Sequence, residues 1–293
     1  MEIKQDPERF NGPQKPTWCP GCGNYGLFSA LKKALAGLGL RPDKIMFFFG
    51  IGCSGNMCCF LRGAGFHSLH GRGIPVAIGA KICNPTSPAI VVAGDGDVYG
   101  EGMNHLLAAA RGNHDIKVIV HNNMVYGLTT GQASPTSEKG FLSKSTPAGV
   151  IEYPVNPLSL VLSSGGTFVA RGFTSEVDHL AEIFEKAIKH VGFSLVDVLQ
   201  PCVTFNKINT AEFYKSHVYK LQKQEQDFKG ALEKASEWPQ THENADRGRI
   251  PIGIFWQKRQ KAYHENLPQL KDSSLISQSI EKIKIEDVYP LYT

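Results

Sequence analysis

No stretch of the 293-residue chain approaches the ~18 consecutive apolar residues that a membrane-spanning helix needs. The N-terminus, Met1-Glu2-Ile3-Lys4-Gln5-Asp6, lacks the basic, apolar and small-residue zones of a secretory signal. These absences set a cytoplasmic location and no membrane as the expectation. Excess charge is missing too: 31 Lys and Arg against 27 Asp and Glu leave +4, too little to imply nucleic acid by charge alone. No internal repeat is present, and no acidic residue occurs between Asp43 and Asp95. The seven cysteines are odd in number and the chain has no export signal, so a disulfide framework is not expected.

What the chain has is regular alternation. Leu27, Phe28, Leu31, Leu35 and Leu38 recur at helical spacing. Short apolar runs at 45–49, 89–93, 117–121, 167–170 and 194–199 read as strands, with helices expected at 74–82, 102–111 and 175–190. This pattern predicts an α/β fold with a doubly wound, mostly parallel sheet. Residues 1–18 read as an arm and 19–205 as the main domain. Residues 206–293 read as an extension, with a helix over 212–232, and with Gly253-Ile254-Phe255-Trp256 and the tail to Thr293 packing on something, such as a second subunit. The Gly-, Ser-, Thr- and Pro-rich stretch 127–156 is too long for a plain connection and is expected to be functional.

Two acid-amide landmarks follow predicted strands. Gly94-Asp95-Gly96-Asp97 ends one strand and Asn122-Asn123 ends the next, with Asp95 and Asn123 28 positions apart. That interval holds one helix and one strand, so a carboxylate and an amide oxygen can converge on a hard cation such as magnesium, which is commonly shared with phosphates. Gly94 and Gly96 let the backbone turn and approach a phosphate. An Asp-Gly turn alone would be ordinary. The paired amides at the next strand end make it a site.

Trp18-Cys19-Pro20-Gly21-Cys22 has two readings, a redox pair at a helix start or half of a metal site. Asn11 to Pro16 is poor strand material, which disfavours the redox fold. Cys53 and Cys202 each follow a predicted strand and are available as further ligands, whereas Cys58, Cys59 and Cys83 have apolar neighbours and are expected to be buried thiols. The spacing suits an iron–sulfur cluster and a structural zinc ion equally. Gly50-Ile51-Gly52-Cys53-Ser54-Gly55 fits G-x-G-x-x-G, yet the acidic residue wanted about twenty positions later is absent. Nicotinamide binding is therefore not expected.

Taken in order, the segments 18–23, 50–55, 69–72, 94–97, Asn122-Asn123, 126–132 and Pro201-Cys202 resemble the β subunits of 2-oxoacid:ferredoxin oxidoreductases, over roughly residues 15–205. The likeness is greatest to the 2-oxoglutarate type. The resemblance implies the diphosphate-binding domain of the thiamine diphosphate fold, an α subunit partner in an (αβ)2 assembly, and reversible CoA-dependent oxidative decarboxylation of a 2-oxoacid with ferredoxin as electron acceptor. It places a [4Fe–4S] cluster on Cys19, Cys22, Cys53 and Cys202. Magnesium falls on Asp95, Asn123 and the Val125 carbonyl, and cofactor contacts on Ile51, Gly52, Ser54, His70, Gly71, Arg72, Gly96, Asp97, Gly127 and Leu128. His70 and Arg72 also admit a plain surface reading.

Arg72 and Thr130 are the expected catalytic residues. Thr130 stands where some broad-range relatives carry lysine, and Arg72 is a cation for a dicarboxylate's second carboxylate. No glutamate sits in a motif matching the one that activates the cofactor, so that group is expected from the α chain. The alternatives are a pyruvate or broad-range enzyme, a non-oxidative thiamine decarboxylase, and a zinc-stabilised binding protein.

Overall fold

The computed structural model describes residues 6–225, 227–239 and 248–279; the expected tail beyond 279 lies outside them. The first half of the chain runs through α1 (Asn24–Gly37), β1 (Met46–Phe49), β2 (Ala64–His67), α2 (Gly73–Cys83), β3 (Ala89–Gly94), α3 (Met103–Arg111) and β4 (Lys117–Asn122). A small hairpin comes next, β5 (Val125–Tyr126) and β6 (Gln132–Ala133). The second half holds α4 (Pro157–Ser163), β7 (Phe168–Phe173), α5 (Val177–Lys189) and β8 (Ser194–Leu199). It ends with α6 (Ala211–His217), β9 (Val218–Lys220), α7 (Phe228–Ala235) and β10 (Ile250–Gln257). Among the described residues no helix is long and apolar enough to cross a membrane.

Eight strands form one sheet in the order β2-β1-β3-β4-β8-β7-β10-β9. The first six are parallel. β10 pairs antiparallel to β7, and β9 runs parallel to β10. The expected doubly wound sheet is therefore present. Its apolar strands still obey period two, because each face packs against its own helices. Phe47 and Phe49 join Leu27, Leu31 and Phe184 on the α1/α5 face, and Phe48 joins Ile74 and Leu106 on the other.

Three strands of the eight-stranded sheet, β2, β9 and β10, are not read as strands from the sequence. All four residues of β2 are exposed, so no buried pattern marks it; pairing with β1 alone makes it a strand. β10 carries Pro251 and a register shift between Ile254 and Trp256, which blur its periodicity. The surface that Gly253–Trp256 packs on is this chain's own β7. The helix expected over 212–232 is broken by β9, which pairs with β10.

One charged pair lies inside the sheet. Arg171 and Asp197 face each other across β7 and β8, both fully buried, with Arg171 Nε 3.4 Å from Asp197 Oδ2. Asp197 Oδ1 also accepts from Tyr99 Oη (2.9 Å) and Asn122 Nδ2 (3.0 Å). Removing one partner strands the other's charge. Asp197→Ala is expected to cost about 3–5 kcal/mol in urea unfolding; a loss below about 1 kcal/mol would mean the guanidinium finds other partners.

Candidate active site

The chain leaves β1 for β2 on one side and returns across β1 to β3 on the other. Strand order reverses there, and the crevice beyond the carboxyl ends is where such sheets bind ligands. A cavity of ≈ 80 Å³ occupies this place. Of the expected residues it is lined by Ile51, Gly52, Cys53, Ser54, His70, Asp95, Gly96, Asp97, Asn123, Val125, Gly127 and Leu128; Gly71, Arg72 and Thr130 are not among its walls.

Asp95 is buried at the end of β3, 1% exposed. Its Oδ2 accepts from Ser134 Oγ and Thr136 Oγ1, each at 2.6 Å. Burial pushes its pKa up to about 6 against these hydrogen bonds, and no cation is among the groups acting on it. Asn122 and Asn123 diverge with strand alternation: Asn122 turns to Asp197, while Asn123 lines the cavity and accepts from the Val125 N–H at 3.1 Å. A buried carboxyl with no cationic partner among the described residues, beside an amide oxygen and a carbonyl, is a hard-oxygen donor set that fits magnesium.

After β3 the chain makes one wide π-helical turn, Gly96–Glu101, before α3. The Tyr126 ring lies over it, and a Cβ on Gly96 would sit 2.3 Å from that ring. Tyr126 Oη donates to the Gly96 carbonyl at 3.3 Å. Gly52 is also required, since its φ of +115° is a conformation that side chains rarely adopt.

Asp97 lines the cavity, but its carboxylate is used by the surrounding loops. Oδ1 accepts from Gly71 N (2.8 Å) and Ile51 N (3.4 Å) and lies 2.6 Å from His70 Nδ1. That His70 approach is close yet off the axis of a hydrogen bond. Burial raises the Asp97 pKa, while the Gly71 N–H and His70 oppose the rise. The residue thus shapes the cradle and is ill suited to meet a phosphate itself. Gly71 belongs to the same scaffold. Arg72 is exposed and donates to the Glu101 carbonyl at 3.2 Å.

The four expected cysteines come from three segments, Cys19 with Cys22, Cys53 and Cys202, and Cys53 lines the crevice. A Cβ on Gly127 would be 3.7 Å from Cys53 Sγ and 4.0 Å from Cys202 Sγ. Burial pushes the Cys22 thiol up to about 11, and Cys202, Cys53 and Cys19 each add repulsion. Thr204 Oγ1 donates to Cys19 Sγ at 3.3 Å. Among the described residues no three His, Cys, Asp or Glu side chains are drawn together as a closed metal site. The donors are soft sulfurs with hydroxyl and amide donors beside them, which fits a thiolate-ligated cluster. Among the described residues no regular strand precedes Trp18, which disfavours the redox-pair fold; the Trp18 indole instead donates to the Cys53 carbonyl at 2.6 Å. Cys83, expected to be buried, is exposed at the last turn of α2, and Cys58 and Cys59 are half-buried.

Four site residues escape sequence reasoning. Ser134 and Thr136 reach Asp95 from the long segment after Tyr126, whose composition marks it as functional without singling out residues. His121 lines the cavity, held by Asn24 Oδ1 at 2.7 Å, with burial pushing it down to about 3. Gln200 is 1% exposed and touches both Asn123 and Cys22. A polar residue that follows the strand Ser194–Leu199 and stands just before Pro201-Cys202 is the available signal. Thr130 is exposed, in a left-handed conformation (φ +79°) that a β-branched residue holds only under constraint.

The family model for the C-terminal TPP-binding domain of thiamine pyrophosphate enzymes matches residues 50–198. The fold and crevice are thus those of a thiamine diphosphate-binding domain. A second model, the C-terminal part of the pyruvate ferredoxin oxidoreductase beta subunit, matches residues 202–272. The 2-oxoacid:ferredoxin oxidoreductase subunit beta of Saccharolobus solfataricus is 48% identical over 263 residues, 85% of this chain and 84% of the relative. The 2-oxoglutarate oxidoreductase subunit KorB of Mycobacterium tuberculosis is 44% identical over 197 residues, 67% of this chain and 53% of its own. A solved 2-oxoglutarate:ferredoxin oxidoreductase from Magnetococcus marinus, with 2-oxoglutarate, coenzyme A and succinyl-CoA bound, aligns with TM-score 0.88 at 32% identity, covering 99% of this chain and 96% of that one. The chain belongs to the β subunits of the 2-oxoacid:ferredoxin oxidoreductases.

Proposed function

We propose that this β subunit works with an α subunit, as (αβ)2, in the reversible CoA-dependent oxidative decarboxylation of 2-oxoglutarate to succinyl-CoA and carbon dioxide, with ferredoxin as electron acceptor. Bound magnesium thiamine diphosphate and a [4Fe–4S] cluster supply the carbanion-stabilising and one-electron chemistry that the reaction needs. Asp95, Asn123 and the Val125 carbonyl hold the cation. The backbone at Ile51, Gly52, Gly96, Gly127 and Leu128 approaches the diphosphate, and the Ser54 hydroxyl donates to it. Cys19, Cys22, Cys53 and Cys202 hold the cluster.

The observation that carries this reading is the loop after β1. Ile51, Gly52 and Ser54 line the same cavity as Cys53, whose sulfur points with Cys202 toward Gly127. The oxygen donors Asp95 and Asn123 and the Cys53 thiol therefore line one cavity, which supports short-range electron transfer. Arg72 and Thr130 stand outside the cavity and are exposed. Their place in the reaction is at the substrate end, with Arg72 as a partner for a second carboxylate. The names of the M. tuberculosis and M. marinus proteins support 2-oxoglutarate as the acid.

The test is turnover with saturating coenzyme A and ferredoxin. The isolated chain is expected to be inactive, because the activating glutamate comes from the α subunit; robust turnover by the chain alone contradicts that division. The αβ pair is expected to show a higher kcat/KM for 2-oxoglutarate than for pyruvate. The reverse ranking would overturn the substrate while leaving the reaction class in place.

A further inference from the structure

The geometry points to Gln200 as a positioning residue that couples the oxygen side of the site to its sulfur side through one side-chain amide. Gln200 is fully enclosed directly after β8, where its N–H donates to the Asn122 carbonyl at 2.9 Å. Its Nε2 donates to the Pro201 carbonyl (2.8 Å) and to Cys22 Sγ (3.4 Å), and its Oε1 accepts from Asn123 Nδ2 (3.1 Å).

The orientation of both amides is determined from both ends. The Pro201 carbonyl can only accept, so the Gln200 atom facing it is nitrogen. The oxygen of Gln200 must then face Asn123, which must answer with its own nitrogen. That turns Asn123 Oδ1 toward the Val125 N–H, which can only donate, and the observed 3.1 Å contact agrees. Gln200 thereby selects which Asn123 atom is presented to the cation. The same side chain lends an N–H to Cys22 Sγ, and hydrogen bonds to sulfur stabilise the more negative state of a thiolate-bound cluster. One rigid amide sets the cation ligand and the cluster's electronics together. This rests on the cation and cluster assignments proposed above.

The experiment uses the αβ enzyme and two variants. Gln200→Met keeps the length and loses both hydrogen-bonding ends. Gln200→Glu keeps an oxygen for Asn123 and loses the N–H to Cys22. Magnesium-dependent thiamine diphosphate affinity is read by calorimetry, and the cluster's midpoint potential by spectroscopically monitored redox titration. Gln200→Met is expected to weaken cofactor binding roughly tenfold or more and to shift the potential negative. Gln200→Glu is expected to hold affinity near the parent's while shifting the potential negative, and it keeps the test open if the methionine variant does not fold. Parental affinity and potential in the folded variants overturn the proposal. So does an affinity loss in Gln200→Glu as large as in Gln200→Met, since that marks general damage. Parent enzyme without iron would instead defeat the cluster assignment. The sulfur end is then read in the iron-free protein, where Gln200→Met should slow Cys22 alkylation, and an unchanged rate refutes the coupling.

Discussion

Asp95→Ala is expected to abolish magnesium-dependent thiamine diphosphate binding, by ~100-fold or more in affinity, without destabilising the cofactor-free protein. Two features separate these outcomes. Asp95 is the one formal negative charge in the proposed cation shell, so its loss removes the main attraction. In the free protein that same carboxylate is a burden, because burial raises its pKa to about 6. A carboxyl whose folded pKa exceeds its unfolded value of about 3.9 favours folding while protonated. That contribution is lost as pH rises from roughly 4 to 6, and the folded state remains penalised above this window. At neutral pH alanine removes the penalty. Ser134 and Thr136 keep each other at 3.1 Å, and Thr136 keeps Asn122 Oδ1 at 3.0 Å. Calorimetric affinity and thermal melting of the apoprotein check both halves. Unchanged affinity would reduce Asp95 to a turn residue, and a melting point lowered by several degrees would make it structural.

Cys202→Ala should yield protein without iron, without the brown colour of iron–thiolate charge transfer, and without ferredoxin reduction, whereas Cys83→Ala should retain all three. Cys202 shares the Gly127 corner with Cys53 and adds to the repulsion felt by the Cys22 thiol. Cys83 is exposed at the end of α2, away from this group in the chain's layout. Iron and acid-labile sulfide analysis of anaerobically purified αβ enzyme is the check. Full iron content in Cys202→Ala would remove this residue from the ligand set. Stoichiometric zinc in colourless parent protein would establish the zinc alternative.

The interior of the sheet is legible in the sequence because burial on both faces writes itself as predominantly apolar runs. The run at 194–199 coincides with β8, and β3 and β4 each extend one residue beyond theirs. The edges are not legible, since exposed β2 has no apolar code and β10 is interrupted by Pro251 and a bulge. The motif at 50–55 obeys the same logic: its glycines announce a close approach, and the missing acidic residue argues against a ribose. Side-chain roles are harder to read. Asp97 lies in the expected motif yet serves the loops, because two segments, at Ile51 and at His70-Gly71, converge on its carboxylate only in three dimensions. Asp197, a lone acid between Val196 and Val198, is the visible sign of the buried pair with Arg171.

The π-helical turn after β3 bears on how this chain tolerates change in length. A π turn spans one residue more than an α turn, so it amounts to a single residue spliced into a helix. An ordinary surface loop absorbs such a gain or loss by bulging. Here the turn is clamped by the Tyr126 ring and runs through Gly102 directly into α3. Losing its extra residue would rotate α3 by about 100° relative to β3. The number of residues between Asp95 and α3 is therefore held by geometry as firmly as their identity is held by chemistry.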